Sequence, residues 1–313
     1  MKCLLVVRLG AMGDIIHTLP AAASLRQSFA GARLFWLVES RWQPLLAGNP
    51  FIDEVLVLDR GSLAGLWSSL RRLRAQRYDL AVDFQGLIKS ALPALLAQPE
   101  RLYGYHRSQV REKLAAFTYS HPVKVAAAHI VDRHQELAAA AGATSRARVF
   151  PLPAGTPEGD LPRGPYVLAS PLAGWTSKQW PLERYEELAR KLSPVGLPLV
   201  LNISPAAARD LPRLGSVVVH MSGLPGLIDA TRRAVAVVGV DSGPLHLAAA
   251  LERPGVAIYG PTDPARNGPY GNTFTVLRSA SAVTSYKRQP VVDPSMAAIT
   301  ADEVLEALKE RLR

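Results

Sequence analysis

The segment Cys3-Leu4-Leu5-Val6-Val7-Arg8-Leu9-Gly10-Ala11-Met12-Gly13-Asp14-Ile15-Ile16-His17-Thr18-Leu19-Pro20 decides how the chain is read. An apolar, strand-like run passes through a glycine-containing turn into a helical pattern, the opening step of a parallel sheet. The step recurs: strand-like runs over 2–8, 33–38, 54–58 and 78–83 alternate with helical patterns over 15–29, 41–48, 62–75 and 86–97. A second series, with strands near 166–170, 197–202, 216–220, 235–240 and 256–259, follows the Pro/Gly-rich stretch 151–165. That stretch reads as a linker. The expected architecture is α/β, two Rossmann-like doubly wound domains facing a central cleft, over 1–155 and 165–300. A C-terminal helix over 301–313, with Thr300 as cap and Asp302 and Glu303 in its first turn, is expected to pack back on the first domain.

The bulk numbers fit this division. A chain of 313 residues exceeds one comfortable α/β core. Apolar residues make up 48% of it, which suits a globular protein and speaks against disorder. The single cysteine, Cys3, excludes an internal disulfide and reads as a buried thiol in a reducing compartment. Arg8 and Asp14 interrupt the first apolar run too early for a signal peptide, and no stretch approaches the roughly 20 apolar residues of a membrane span.

The net charge of +10 is unevenly spread, with 19 basic against 11 acidic residues over 1–150 and 17 against 15 beyond. Residues 60–113 alone carry ten basic side chains and four acidic ones. Such a stretch attracts anions: nucleic acid, an anionic membrane surface, or a phosphorylated or carboxylated substrate. A solvated basic face is the plain alternative. Few aromatics interleave with these arginines, which argues against nucleic acid.

Ligands of doubly wound sheets bind beyond the carboxyl ends of the strands, so the motifs there carry the chemistry. Gly10 and Gly13 make only G-x-x-G, and no Walker lysine is present, so neither NAD nor ATP binding is indicated. Asp14 sits at the helix start. It is either a helix cap or a general base that takes a proton from a substrate hydroxyl. His17 supports the loop or simply packs. A second strand end, Asp83-Phe84-Gln85-Gly86-Leu87-Ile88-Lys89-Ser90, offers Asp83 as a helix N-cap and Gln85 and Lys89 as substrate-positioning residues.

In the second half, Asp241-Ser242-Gly243-Pro244-Leu245-His246 is a turn entering a helix with proline in its first turn. Ser242 and Gly243 leave N–H groups at a positive helix end, an anion site suited to a diphosphate. Asp241 would repel phosphate, so it binds sugar hydroxyls or orders the turn, and His246 donates a hydrogen bond to a phosphate oxygen or is a buried structural residue. Lys178, isolated among small and aromatic residues in 169–181, is a candidate for leaving-group charge. Tyr259-Gly260-Pro261-Thr262-Asp263-Pro264 reads as a rigid turn, either closing the same pocket or standing alone. No Asp-x-Asp and no His/Cys cluster has metal-ligand spacing, so no metal or other cofactor is expected; if a diphosphate must leave without a metal, backbone N–H groups with Lys178 must supply the stabilisation.

Met12-Gly13-Asp14 with His17-Thr18-Leu19-Pro20, the 83–90 segment, Lys178-Gln179-Trp180-Pro181, the 241–247 segment and the 259–264 turn together resemble glycosyltransferase family 9. These are the bacterial lipopolysaccharide heptosyltransferases, and the likeness is greatest to those of type I. The resemblance spans most of the chain. It implies a GT-B fold and an inverting transfer from ADP-heptose to an acidic sugar of a lipid A inner core, at the inner face of the cytoplasmic membrane. By position, Asp14 is similar to the family's catalytic base, and Lys178, Asp241, Ser242, Gly243 and His246 to its donor-binding residues. Thr176, Ser177 and Met221 are counted with them. Gly13, Arg60, Gln85, Lys89, Arg107 and Arg111 fall on the acceptor side. Two departures stand out: the glutamate that holds the nucleotide ribose has no counterpart in 202–210, and Ala173-Gly174 replaces a hydroxyl-bearing pair. Transfer of another sugar, transfer to another acceptor, and sugar-nucleotide binding without catalysis are the alternatives these leave open.

Overall fold

The computed structural model of the chain describes residues 1–208, 212 and 214–313. Two compact units divide it, Met1–Pro153 and Ala154–Arg313.

The first unit runs β1 (Cys3–Val7), α1 (Met12–Ser28), β2 (Arg33–Glu39), β3 (Glu54–Leu58), α2 (Leu63–Leu73), β4 (Leu80–Asp83), α3 (Ile88–Leu96), β5 (Leu102–Tyr105), β6 (His121–Val123) and α4 (Ile130–Ala140). Its six strands are parallel in the order β3-β2-β1-β4-β5-β6. Leu4 through Val7 of β1 are fully buried, which accounts for a strand apolar on both faces at the sheet centre. On one sheet face Leu5, Val7, Phe35 and Leu37 pack against Leu66, Leu70 and Leu73 of α2, Ala91 and Ala94 of α3, and Ala115 and Ala116. β6 contains Pro122, which lacks a donor and is accommodated because the strand lies at the sheet edge.

The second unit runs β7 (Val167–Ser170), α5 (Leu182–Leu192), β8 (Leu199–Ile203), β9 (Val218–Met221), α6 (Leu224–Arg233), β10 (Ala236–Val240), α7 (Gly243–Ala250), β11 (Gly255–Tyr259), α8 (Pro264–Asn267), β12 (Phe274–Arg278), α9 (Pro294–Ala297) and α10 (Ala301–Leu312). Its strands, again parallel, follow the order β12-β11-β10-β7-β8-β9. This is the first unit's order with each strand in the corresponding place. Strand order therefore reverses between β1 and β4 in one unit and between β7 and β10 in the other, the positions at which doubly wound sheets take ligands.

α10 buries Val304, Leu305 and Leu308 in one cluster with Tyr185, Leu188 and Leu192 of α5. The two amphipathic faces match, and truncating the fully buried Leu308 to alanine would cost about 2–5 kcal/mol. The proline-rich stretch is docked rather than free from Ala154 onward, because Thr156 N–H donates to the Pro225 carbonyl at 3.1 Å. Gly155 lies at φ +85°, where a Cβ would meet the Asp229 backbone, so glycine is required there. Cys3, at the strand's outer end, is only partly buried.

Candidate active site

The carboxyl ends of β1 and β4 are tied together through Arg8, which follows β1. Its Nη1 donates to the Phe84 carbonyl at 2.6 Å, and its Nη2 meets Asp14 Oδ2 at 2.6 Å. Arg8 is 6% exposed, so an arginine is set in the core beneath a half-exposed carboxylate. Asp14 stands in the first turn of α1, where Oδ2 also accepts from Ala11 N–H at 3.2 Å. Among the described residues Oδ1 has no hydrogen-bond or ion-pair partner. Cap and candidate base thus fall on different oxygens of one side chain. Gly13 lies beside it in the same turn, and His17 is buried edge-on against His129, ring centroids 5.9 Å apart.

Gln85 accepts the Leu9 N–H on Oε1 at 2.9 Å, pinning the loop that carries Asp14. Asp83 differs from expectation: α3 starts at Ile88 with Leu87 as its cap, and Asp83 instead organises the turn before it. Its Oδ1 accepts from Gln85 N–H (2.8 Å) and Gly86 N–H (3.4 Å), and its Oδ2 from Ser90 Oγ (2.9 Å) and Tyr119 OH (2.8 Å). Burial pushes its carboxyl up from the usual range, against the pull of those bonds. Gly104 of β5 is glycine because a Cβ would strike the Tyr119 ring that reaches Asp83.

Arg60 and Lys89 meet at Glu39, the last residue of β2. Glu39 Oε1 lies 3.2 Å from Lys89 Nζ and 3.7 Å from Arg60, and Oε2 lies 3.0 Å from Arg41. Burial would raise the Glu39 carboxyl, but Lys89 and Arg41 outweigh it and hold it below its ordinary value. Three cations on one carboxylate leave a positive excess at this sheet edge. Arg107 and Arg111 follow β5 and are not gathered with them: Arg107 lies over the Phe117 ring at 5.9 Å, and Arg111 is exposed. Composition alone hides Arg8, Glu39 and Arg41. The one available pointer is position, since Glu39 ends a strand and Arg8 and Arg41 lie within two residues of one.

In the second unit the residues beyond β7 and β10 converge. Lys178 Nζ lies 2.6 Å from Asp241 Oδ2, and His246 Nε2 lies 3.6 Å from Asp241 Oδ1. Lys178 is therefore not isolated, and Asp241 is its internal counter-charge. Burial would raise the Asp241 carboxyl, yet His246 and Lys178 reverse the shift and hold it far below its ordinary value. Lys178 also sits 4.3 Å from the Trp175 ring centre, with the Arg288 guanidinium 5.5 Å from the same ring. Thr176 and Ser177 begin the 3-10 turn that presents Lys178.

Ser242 caps α7 with Gly243 and Pro244 in its first turn, so backbone N–H groups face outward there. The Ser177, Ser242 and Thr262 hydroxyls are buried without hydrogen-bond partners among the described residues. Met221, at the end of β9, is half-exposed. Asn202 accepts from Ser222 Oγ at 2.7 Å and bonds His220 Nδ1 at 2.9 Å, a structural role. Arg209 and Asp210, in the stretch lacking a ribose-binding glutamate, lie outside the described residues. No group of three or more His, Cys, Asp or Glu among the described residues could hold a metal ion.

The model of glycosyltransferase family 9 (heptosyltransferase) matches residues 66–294. The chain belongs to glycosyltransferase family 9. Lipopolysaccharide heptosyltransferase 1 of Pseudomonas aeruginosa is 32% identical to this glycosyltransferase over 301 residues, 88% of this chain and 83% of the relative. That of Escherichia coli K12 is 30% identical, covering 88% and 93%. The solved E. coli heptosyltransferase WaaC with ADP superposes with a TM-score of 0.79 at 27% identity over 99% of this chain and 100% of that one. WaaC with ADP-2-deoxy-2-fluoro heptose gives 0.77, covering 99% of each. This family 9 transferase therefore has the GT-B fold, built from the two Rossmann-like units described above.

Proposed function

We propose that this glycosyltransferase moves a heptose from ADP-heptose to an acidic sugar of the lipopolysaccharide inner core on lipid A, by a metal-independent displacement that inverts the anomeric carbon. The observation that carries the reading is Asp14, whose Oδ2 is fixed by Arg8 and Ala11 N–H while Oδ1 has no partner among the described residues. An acceptor hydroxyl gives its proton to Oδ1 as its oxygen attacks the anomeric carbon. The bond from that carbon to the diphosphate oxygen breaks, and ADP leaves with the electron pair. The growing charge is met by N–H groups at the start of α7 and by Lys178, in place of a metal.

The donor is read from the relatives, one of which is solved with an ADP-heptose analogue. The positive excess around Glu39, with Arg107, Arg111 and the carboxamide of Gln85, is the acceptor grip in this reading. Mass spectrometry of product formed from ADP-heptose and a lipid A core bearing acidic sugars tests it, with UDP- and GDP-sugars as controls. Transfer from ADP-heptose alone, undiminished by a chelator and with inverted anomeric configuration, is expected. Donor binding without transfer to any acceptor would refute the reading.

A further inference from the structure

The helical layer on one face of the first unit's sheet turns apolar side chains both ways. Leu66, Leu70 and Leu73 point α2 into the core, yet Leu63 and Trp67 on its other side are 81% and 74% exposed. Ala91 and Ala94 are the inner residues of α3, while Ile88, Leu92 and Leu95 form an exposed stripe at the i, i+4, i+7 spacing of one helix face. Ala115 and Ala116 are buried, whereas Leu114 and Phe117 are 65% and 72% exposed. All three elements bury their inner sides in the same cluster, so their outer sides share one surface. Apart from Met1 and Val149, these are all the exposed large apolar residues of the unit. A patch so concentrated marks an interaction surface.

Charge says what covers it. Neither α2 nor α3 contains an acidic residue, while α2 carries Arg71 and Arg72, and Arg107, Arg111 and Lys113 flank the 114–117 turn. The nearby Glu112 is spent on the Ile88 N–H at 2.7 Å. A second copy of the chain, docked symmetrically, would set arginines against arginines. We propose that this layer is a docking surface for an anionic phospholipid bilayer, with Trp67, Leu92 and Phe117 entering the interface and the flanking cations lying at headgroup level. Arg107 over the Phe117 ring already has the arrangement of a cation above an inserted aromatic. The proposal rests on the functional reading in one respect: a lipid A-linked acceptor is met at a bilayer.

Flotation of the full chain with phosphatidylglycerol–phosphatidylethanolamine vesicles tests it, with phosphatidylcholine vesicles as the comparison. Wild-type protein should float with the anionic vesicles and be released by salt, each basic residue at the surface contributing about fivefold to affinity. Leu92→Glu with Trp67→Glu should weaken binding about tenfold or more, leaving the melting temperature and the turnover of a water-soluble, delipidated acceptor unchanged. Leu95→Glu is an independent second variant. The proposal is overturned if wild-type protein fails to float with anionic vesicles, if the variants float as well as it does, or if sedimentation shows a dimer that these variants dissociate. Failure of wild-type turnover on the water-soluble acceptor would instead count against the proposed reaction, whatever the vesicles show.

Discussion

Replacing Asp14 by asparagine separates the two tasks of its carboxylate. The asparagine oxygen can still accept from Ala11 N–H, so the cap, worth about 1 kcal/mol, survives. The ion pair with Arg8 is lost in both variants. Asp14 is 44% exposed, which screens the pair toward about 0.2–1 kcal/mol. The Arg8 side chain, however, is 8% exposed, and stranding it moves the cost toward the about 3–5 kcal/mol of a broken buried pair. For a unit of this size, a loss of about 1 kcal/mol lowers the melting temperature by about 2–4 °C. Asp14→Ala also deletes the cap, a further loss of about 1 kcal/mol and a further shift of that size. Turnover should behave differently. Both variants lose the proton acceptor, a loss of about 100- to 10,000-fold in kcat. That is about 2.7–5.4 kcal/mol of transition-state stabilisation, common to both variants, whereas the cap is lost only in Asp14→Ala. Initial rates of ADP release at saturating donor and acceptor, paired with thermal melts, should show equal rate losses beside unequal melting temperatures. If Asp14→Asn kept turnover within about tenfold of wild type while Asp14→Ala fell with its stability, Asp14 would be a cap and the reasoning would fail.

Lys178→Met leaves the 7%-exposed Asp241 charge with only His246, and should destabilise the second unit by about 3–5 kcal/mol. Lys178→Met/Asp241→Asn should recover most of the melting temperature but not donor affinity; a double variant melting as low as the single one would discount the pair. Trp175→Ala removes the ring flanked by Lys178 and Arg288 and should raise donor KM about threefold to tenfold without moving acceptor KM, as steady-state kinetics in each substrate will tell. His134, bonded to Tyr105 OH at 2.5 Å, is held well below the usual histidine range by burial and then by Arg8 and Arg133. The native state thus refuses a proton that the unfolded chain takes below about pH 6.5. The stability tied to a neutral His134 is complete above that pH and is lost as pH falls, by at most about 1.4 kcal/mol per unit. Urea midpoints between pH 7 and 5 should show the slope, and its persistence in His134→Gln would assign it elsewhere.

The sheets were legible because β1, β4, β7 and β10 are buried on both faces and read as unbroken apolar runs. β5 and β6 escaped because Leu102-Tyr103-Gly104-Tyr105 and His121-Pro122-Val123 are short, and glycine and proline weaken a strand pattern. The partner of α10 was not legible for a related reason: an amphipathic stripe declares that a helix is buried without declaring against what. At the site, residue types at strand ends were readable, but their pairings were not. That Asp241 neutralises Lys178, or that Glu39 gathers Arg41, Arg60 and Lys89, depends on loops brought together by sheet order, over separations as long as 63 residues. Arg8 was hidden most thoroughly, since an arginine just after an apolar strand ordinarily marks the return to solvent, and here it is buried.

Those pairings bear on the base more than any motif does. Several carboxylates stand at or beyond the carboxyl ends of these strands, and a proton acceptor needs an oxygen not already committed. Asp83 has both oxygens filled by four donors. Asp241 gives one to Lys178 and faces His246 with the other. Glu39 divides its two among three cations. Among the described residues, Asp59 after β3 and Asp263 after β11 also accept on one oxygen, from Gly61 and Ala265 N–H, but no cation holds either. Asp14 has both of its interactions on a single oxygen, and one of them is to Arg8. The buried Arg8 fixes that oxygen without covering its neighbour, as proton transfer requires of a group that must be oriented and still reachable. Asp83, Asp241 or Glu39 would have to break its own ion pairs or turn bonds before accepting a proton. The rate lost in Asp14→Asn should therefore not be restored by raising pH, whereas an exogenous small carboxylate admitted beside Asp14→Ala should restore part of it.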